Sequence, residues 1–232
     1  MEHGYTVDLI SDLNLENNQV FDWSGKPTSL FCCIAGGISG NPTVIKNVLE
    51  HLSTMYRGVL YIDGGTEHKI LPNHSDTIEQ ITNICKAVSN VIYLHNHVVV
   101  LNDVAFVGIN GWYGNYAQHL NPGDKFMITA LQNEDLAYLS TTIKSLQNRS
   151  DTKKIVVISN SIPTDYLMYG SVDLVNDGVE PGISLVLDRT KKVTHWLYGG
   201  GTILNDLFYN GRRYVNNPDI PGQPYWPKRI LI

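Results

Sequence analysis

Short apolar runs rich in β-branched residues recur along the whole chain. They fall at 5–11, 29–35, 58–62, 91–94, 98–101, 104–109, 155–159, 183–187, 193–198, 213–216 and 229–232. Glycine, proline, asparagine or aspartate bounds each run, which is the punctuation expected of strands. Several runs are apolar at both odd and even positions, as strands buried on both faces are.

Three stretches between them switch to a helical period. Asn41 and Pro42 supply a cap and a proline suited to the first helical turn, and Val44, Ile45, Val48, Leu49 and Leu52 then share one face. Asp76 and Glu79 have the spacing of a capping box, on a stripe of Ile78, Ile81, Ile84, Cys85 and Val88. A third pattern covers 133–146, with Leu136, Leu139, Ile143 and Leu146 in phase. Asp103, between two strand-like runs, predicts a hairpin at mid-chain, and 110–124 is a long excursion rich in Gly, Tyr, Trp and Asn. The order is β-α-β in the first half and mostly β in the second. It predicts one α/β domain with two sheets over residues 1–232, with an irregular proline-rich segment at about 217–228.

Composition narrows the function. With 43% apolar and 17% charged residues the chain is that of a globular protein, not a disordered one. A formal net charge of −5 excludes the basic face that non-specific nucleic-acid binding needs. No apolar run reaches the ~18–20 residues that span a bilayer, and the N-terminus lacks the basic start and apolar stretch of a secretory signal. Cys32, Cys33 and Cys85 are an odd set without paired CxxC spacing. The adjacent pair would point to opposite faces of a strand, so all three read as buried reduced thiols of a cytoplasmic protein.

In α/β folds, ligands collect at the carboxyl ends of strands. Here those ends read Ser11-Asp12-Leu13-Asn14, Ala35-Gly36-Gly37-Ile38-Ser39, Asp63-Gly64-Gly65-Thr66-Glu67-His68, Ser159-Asn160-Ser161-Ile162-Pro163 and Tyr198-Gly199-Gly200-Gly201-Thr202. In this series the chain resembles the calcineurin-like metallophosphoesterases, above all their small bacterial and phage members. ISDLNLE at 10–16 stands against that family's I-S-D-L-H-L-E, AGGIS at 35–39 against A-G-D-I-S, and GGTE at 64–67 against G-N-H-E. ISNSIP at 158–163 stands against V-T-H-H-x-P, and WLYGGGT at 196–202 against W-x-x-G-H-T-H. Asn217-Pro218 matches the start of N-P-R-G-Y, with Asp219 at the arginine position. The resemblance implies a four-layer α/β/β/α sandwich of two mixed sheets.

It also implies a two-metal site, and there the residues depart from the family. Asp12 is kept. Asn14 stands at a histidine position, Gly37 at the bridging aspartate, Gly65 at the asparagine ligand and Thr66 at the catalytic histidine. Asn160 replaces an imidazole in the fourth motif, and Gly200 and Thr202 replace both histidines of the fifth. A two-metal clamp needs its bridging carboxylate and imidazole ligands. The expectation is therefore a degenerate former active site (Asp12, Asn14, Gly37, Gly65, Thr66, Glu67, Asn160, Gly200, Thr202) with no catalytic residue, no bound metal and no cofactor. On this reading, putting all seven family residues back should restore metal binding.

Asp12 reads as a partner for backbone amides at a turn, and less well as a last metal ligand. Glu67 and His68 read as structural or solvated neighbours of the old catalytic position. The spacing of His74, His95, His97, His119 and His195 recommends no metal site; His95-Asn96-His97 is the best of the set and reads as a surface feature. The glycine-flanked amides could cradle a nucleotide or phosphate weakly, but no Lys or Arg lies in the motifs to support that. Trp112, Tyr113, Tyr116, Tyr225 and Trp226 lie in irregular segments, where aromatics often anchor interfaces. The expected function is that of an inactive metallophosphoesterase-like scaffold, located in a host cytoplasm or virion if phage-encoded. It would bind a protein partner or a second copy of itself, and neither a membrane nor nucleic acid. The alternatives are a divergent phosphoesterase with a rebuilt metal site and a metal-free binder of nucleotides or phosphoesters.

Overall fold

The first strand, β1 (Thr6–Ile10), leaves each of its faces apolar, and the chain covers both. The computed structural model describes residues 6–16, 19, 21–26, 28–69, 73–112, 120–163, 167, 184–201 and 203–232. After β1 come β2 (Phe31–Ala35), α1 (Pro42–Ser53), β3 (Gly58–Ile62), α2 (His74–Ala87), β4 (Val91–Tyr93), β5 (His97–Leu101) and β6 (Val104–Ile109). Then follow α3 (Pro122–Gln147), β7 (Lys154–Ser159), α4 (Ser184–Asp188), β8 (Val193–Tyr198), β9 (Asp206–Tyr209), β10 (Arg212–Asn216) and β11 (Lys228–Leu231).

The strands form two mixed sheets, ordered β11-β1-β2-β3-β4 and β5-β6-β7-β8-β10-β9. The inner pairs are parallel, while β11, β5 and β9 run antiparallel at the edges. Alternation sorts the side chains into layers. Val7, Leu9, Cys33, Ala35, Leu60 and Ile62 meet Phe106, Val156, Ile158, Leu197 and Val215 between the sheets. Cys32, Ile34, Val59 and Tyr61 face outward and are covered by Val44, Ile45, Val48, Leu49 and Leu52 of α1 and by Ile81 and Cys85 of α2. On the far side, Val107, Val157, Trp196 and Tyr214 are covered by Leu139, Ile143 and Leu146 of α3 and by Val186 and Leu187 of α4. The result is the helix–sheet–sheet–helix sandwich, with the two adjacent cysteines on opposite faces of β2.

The structure departs from the sequence pattern in four places. Residues 184–188 form the helix α4 where a strand is expected, because a short apolar run cannot by its period be told from a buried helical turn. The helix α3 begins at Pro122, well before the stripe that predicts it, with the Asn121 side chain accepting from the Asp124 amide at 3.0 Å. The helix α2 begins at His74 after a left-handed Asn73 that makes no side-chain cap, so Asp76 lies in the first turn and does not cap it. The strand β9 escapes the pattern because it is short and mostly exposed, yet Asn210-Gly211, both at positive φ, form the tight turn to β10.

The proline-rich tail is irregular, as its composition predicts, but it is tied down. The Tyr225 hydroxyl accepts from the Ser11 amide at 3.0 Å and donates to the Asn217 carbonyl at 2.7 Å. The Asn217 amide donates to the Leu9 and Trp226 carbonyls, each at 2.9 Å. These bonds fix the loop leaving β1. All three cysteines are free and buried, and burial pushes their thiols upward, Cys85 to about 12. Native protein should therefore show no thiol reactive with a water-soluble disulfide reagent at pH 8, and all three should react after unfolding in guanidinium. A thiol that reacts at once in the native state would contradict the packing.

Candidate functional site

Five loops leave the carboxyl ends of β1, β2, β3, β7 and β8 and converge at one rim of the sandwich. The first two run side by side: the amides of Asp12, Asn14 and Leu15 donate to the carbonyls of Gly36, Gly37 and Ile38 at 3.0, 2.7 and 2.8 Å. To do so, Asp12 and Asn14 adopt left-handed conformations (φ 54° and 46°), which Asp and Asn tolerate better than other non-glycine residues.

Side chains then tie the loops to one another. Glu67 is buried and accepts from the amides of Gly37, Ile38 and Gly64 at 3.1, 2.6 and 2.9 Å and from the Tyr61 hydroxyl at 3.2 Å. Burial raises its carboxyl above the usual range, and the Ile38 and Gly37 amides oppose that rise. Asn160 donates to the Ala35 carbonyl at 3.0 Å and accepts from the Gly65 amide at 3.2 Å, joining the fourth loop to the second and third. Thr66 donates to Asn14 at 2.9 Å. Asp12 Oδ1 accepts from the Gly200 amide at 2.8 Å, while its buried Oδ2 has no partner. Burial is the main reason its carboxyl is pushed up to about 7, with the Gly200 amide working the other way.

A two-metal centre does not fit this donor set. Both Glu67 oxygens are committed to amides, and Asn14 and Asn160 offer neutral amides. Among the described residues no three His, Cys, Asp or Glu side chains could hold a metal ion. The backbone also crowds the place where a side chain on Gly37 would begin. Gly37 lies at φ +73°, and a Cβ there would meet Asp12 Cα at 2.7 Å. A Cβ on Gly36 would meet the Asn160 amide nitrogen at 2.5 Å. Gly65, by contrast, has nothing within 4 Å of a Cβ, so an asparagine fits there. An aspartate at Gly37 is therefore expected to strain the backbone there, against the expectation that putting the family residues back restores metal binding.

Beside this rim lies a cluster that residue spacing does not reveal. The buried Asp63 accepts from His68 Nε2, and its other oxygen faces His95 Nδ1 at 3.3 Å. Burial opposes its charge, but the bonds from His68 and His95 prevail and hold the carboxyl well below the usual range. His95 is likewise drawn downward by burial and, more strongly in sum, upward by Asp63. His74, the first residue of α2, stacks on His68 with ring centroids 4.8 Å apart, and Trp112 meets both rings edge-on at 5.0 and 5.1 Å. Asp135 of α3 accepts from the Gly111 amide at 2.7 Å, and burial pushes its carboxyl up to about 6. These residues come from five segments, so no local spacing unites them. The one legible hint is that β3 and β4 pair in parallel, Tyr61 opposite Tyr93, which carries Asp63 and His95 forward side by side.

Of the remaining histidines, His97 is exposed, and His195 lies on β8, away from this cluster in register with Arg213. Trp112 is 4% exposed and packs on Ile128, and Tyr225 turns inward onto Ser11 and Asn217. Trp226 is 54% exposed, with the Lys26 ammonium 5.7 Å from its ring. Tyr113, Tyr116, His119 and Thr202 lie outside the described residues.

The comparisons with known proteins bear on the fold. The chain is similar to the phosphopantetheinyl hydrolase of Mycobacterium tuberculosis, with a TM-score of 0.65 and 15% identity over 97% of this chain and 95% of that one. It is similar also to a dimetal phosphatase from Danio rerio, with a TM-score of 0.66 and 8% identity over 98% and 92% of the two chains. A third neighbour is GAP50, the anchor in the inner membrane complex of Plasmodium, with a TM-score of 0.51 and 10% identity over 93% and 71%. The fold is that of the metallophosphoesterases. In sequence, the uncharacterized protein L509 of Acanthamoeba polyphaga mimivirus is 21% identical over 243 residues, covering 87% of this chain and 86% of that protein. No protein-family model matches the chain.

Two measurements test the loop network. Asn160→Ala removes one donor and one acceptor between three loops, and equilibrium denaturation should show a loss of about 1–3 kcal/mol. For Asp12, whose folded value of about 7 exceeds the ordinary 3.8, the native state holds the extra proton, so this group's contribution to stability is full below 3.8 and lost as pH rises through 7. Asp12→Asn should therefore gain stability relative to the parent as pH rises from 5 to 8; an unchanged difference across that range would refute the assignment.

Proposed function

We propose that this chain is a catalytically inactive protein on the metallophosphoesterase fold, of viral kind, that serves as a binding or scaffold module. One observation carries the reading: the positions that would hold two metals are taken by side chains and glycines that bond the loops directly to each other. Hydrolysis by a metal-activated water needs the cations that such a site cannot gather. The relative from mimivirus supports a viral source, and GAP50, an anchor in the inner membrane complex of Plasmodium, supports a non-catalytic use of this fold.

A metal-free phosphate binder is less well supported. The amides that would cradle an anion at Gly37, Ile38 and Gly64 already donate to Glu67, and that of Gly200 donates to Asp12. Among the described residues, a cavity of about 50 Å³ lies beside this rim, lined by Tyr198, Gly200, Gly201 and Asn205 among others, which is too small for a nucleotide. For docking, Trp226 is the candidate whose ring stays exposed, whereas Trp112 and Tyr225 pack inward.

The test is to incubate the protein with excess manganese, desalt it, and count bound metal by elemental mass spectrometry beside an assay with a generic phosphodiester. The expected result is near-zero metal and no hydrolysis. One or two ions per chain, or hydrolysis that Asp12→Ala abolishes, would overturn the reading in favour of a rebuilt site.

A further inference from the structure

Among the described residues, eight buried side-chain polar atoms have no hydrogen-bond partner, and five of them belong to the histidine cluster: His68 Nδ1, His74 Nε2, Tyr93 OH, Asn96 Oδ1 and Trp112 Nε1. Orphans gathered in this way call for a local explanation. His68 Nε2 donates to Asp63, and its Nδ1 lies buried without a partner. His74 lies nearly parallel to it, the rings inclined by 20°, and Trp112 closes over both. The three rings belong to the loop after β3, the first residue of α2 and the segment after β6, so their contact joins three separately placed pieces of chain.

A further proton has no good place in this stack. On His74 Nε2 it would form an N–H without an acceptor, against a second imidazole and at the N-terminus of α2, where the helix dipole opposes positive charge. Of the charged groups around it, Asp63 favours a proton on His74, while His68 and His95 oppose one. Asp63 is already shared between His68 and His95, Glu67 is committed to three amides, and Asp135 and Glu134 act on His95.

We propose that the His68–His74–Trp112 stack is an acid-released clamp, in which uptake of a second proton parts the start of α2 from the loop after β3 and from Trp112 while the two sheets remain folded. The protonation behaviour agrees with the geometry: burial first, then His68, pushes His74 down to about 4. A folded value below the ordinary 6.5 means that the stack's contribution is full above 6.5 and lost as pH falls toward 4. His195, half-buried on β8 and facing Arg213 and Lys154, is also pushed down to about 4, chiefly by loss of solvent, so the readout has to be local.

The experiment follows each histidine Cε1–H and the Trp112 indole N–H by NMR on the full chain from pH 7.5 to 3.5. His74 should titrate with a midpoint near 4, and the Trp112 signal should move with it while core methyl signals keep their native dispersion. His68→Phe retains a ring but removes the second basic nitrogen, and should raise the His74 midpoint by about one unit. Should that variant misfold, His74→Gln serves instead and should abolish the Trp112 transition. A His74 midpoint near 6.5, a midpoint indifferent to His68→Phe, or a Trp112 change that coincides with collapse of the core signals would overturn the proposal.

Discussion

The Glu67 carboxylate is the tie on which the rim of this molecule depends. A buried carboxylate is costly unless several donors meet it, and Glu67 is met by three backbone amides and a tyrosine hydroxyl. In meeting it, the loops after β2 and β3 acquire fixed positions. The positions of Asn160, which spans the same two loops from β7, and of Thr66, which reaches Asn14 after β1, follow from that. The Asp12–Gly200 bond then adds the loop after β8. The loops that in an enzyme of this fold would present ligands outward thus present them to one another.

Two aspartates at neighbouring strand ends show how little distance separates opposite electrostatic outcomes. Asp12 has one amide donor and an unpartnered oxygen, so desolvation dominates and the acid form is favoured. Asp63 is buried at least as deeply, yet two imidazoles reach it and its ionised form is retained. The difference lies in the donors each carboxyl meets. It also sets the pH windows apart: a carboxyl with a raised value weakens the fold as pH climbs, and one with a lowered value weakens it as pH falls.

The sandwich was largely legible because its signal is local and repeated. Runs such as 58–62 and 104–109 are apolar throughout, and in the folded chain both faces of β3 and β6 are buried. The Asn41-Pro42 pair marks a helix start, with the Asn41 side chain accepting from Thr43 at 2.9 Å. The same pair at 121–122 carried the same information, obscured by the polar first turns of α3. The departures from family residues at Asn14, Gly37 and Gly200 were also readable one by one. What they add up to was not. That Glu67 and Asn160 bond the loops depends on backbone positions after folding, and the union of His68, His74, His95 and Trp112 depends on which strands lie side by side. Neither has a periodicity to leave in the chain.

The left-handed Gly37 bears on how such a molecule changes over many generations. Its missing side chain leaves room for the Asp12 backbone, which has closed in until no Cβ can be accommodated. Placing a carboxylate at this position therefore requires prior retreat of a neighbouring segment held by its own bonds to Gly36 and Gly200. Each such retreat breaks a working contact before any ligand can be gained. The route to a carboxylate here is thus uphill at its first step, and the order in which substitutions arrive decides whether it is open at all. The closed rim acts as a ratchet, leaving other surfaces of the sandwich as the easier ground for new function.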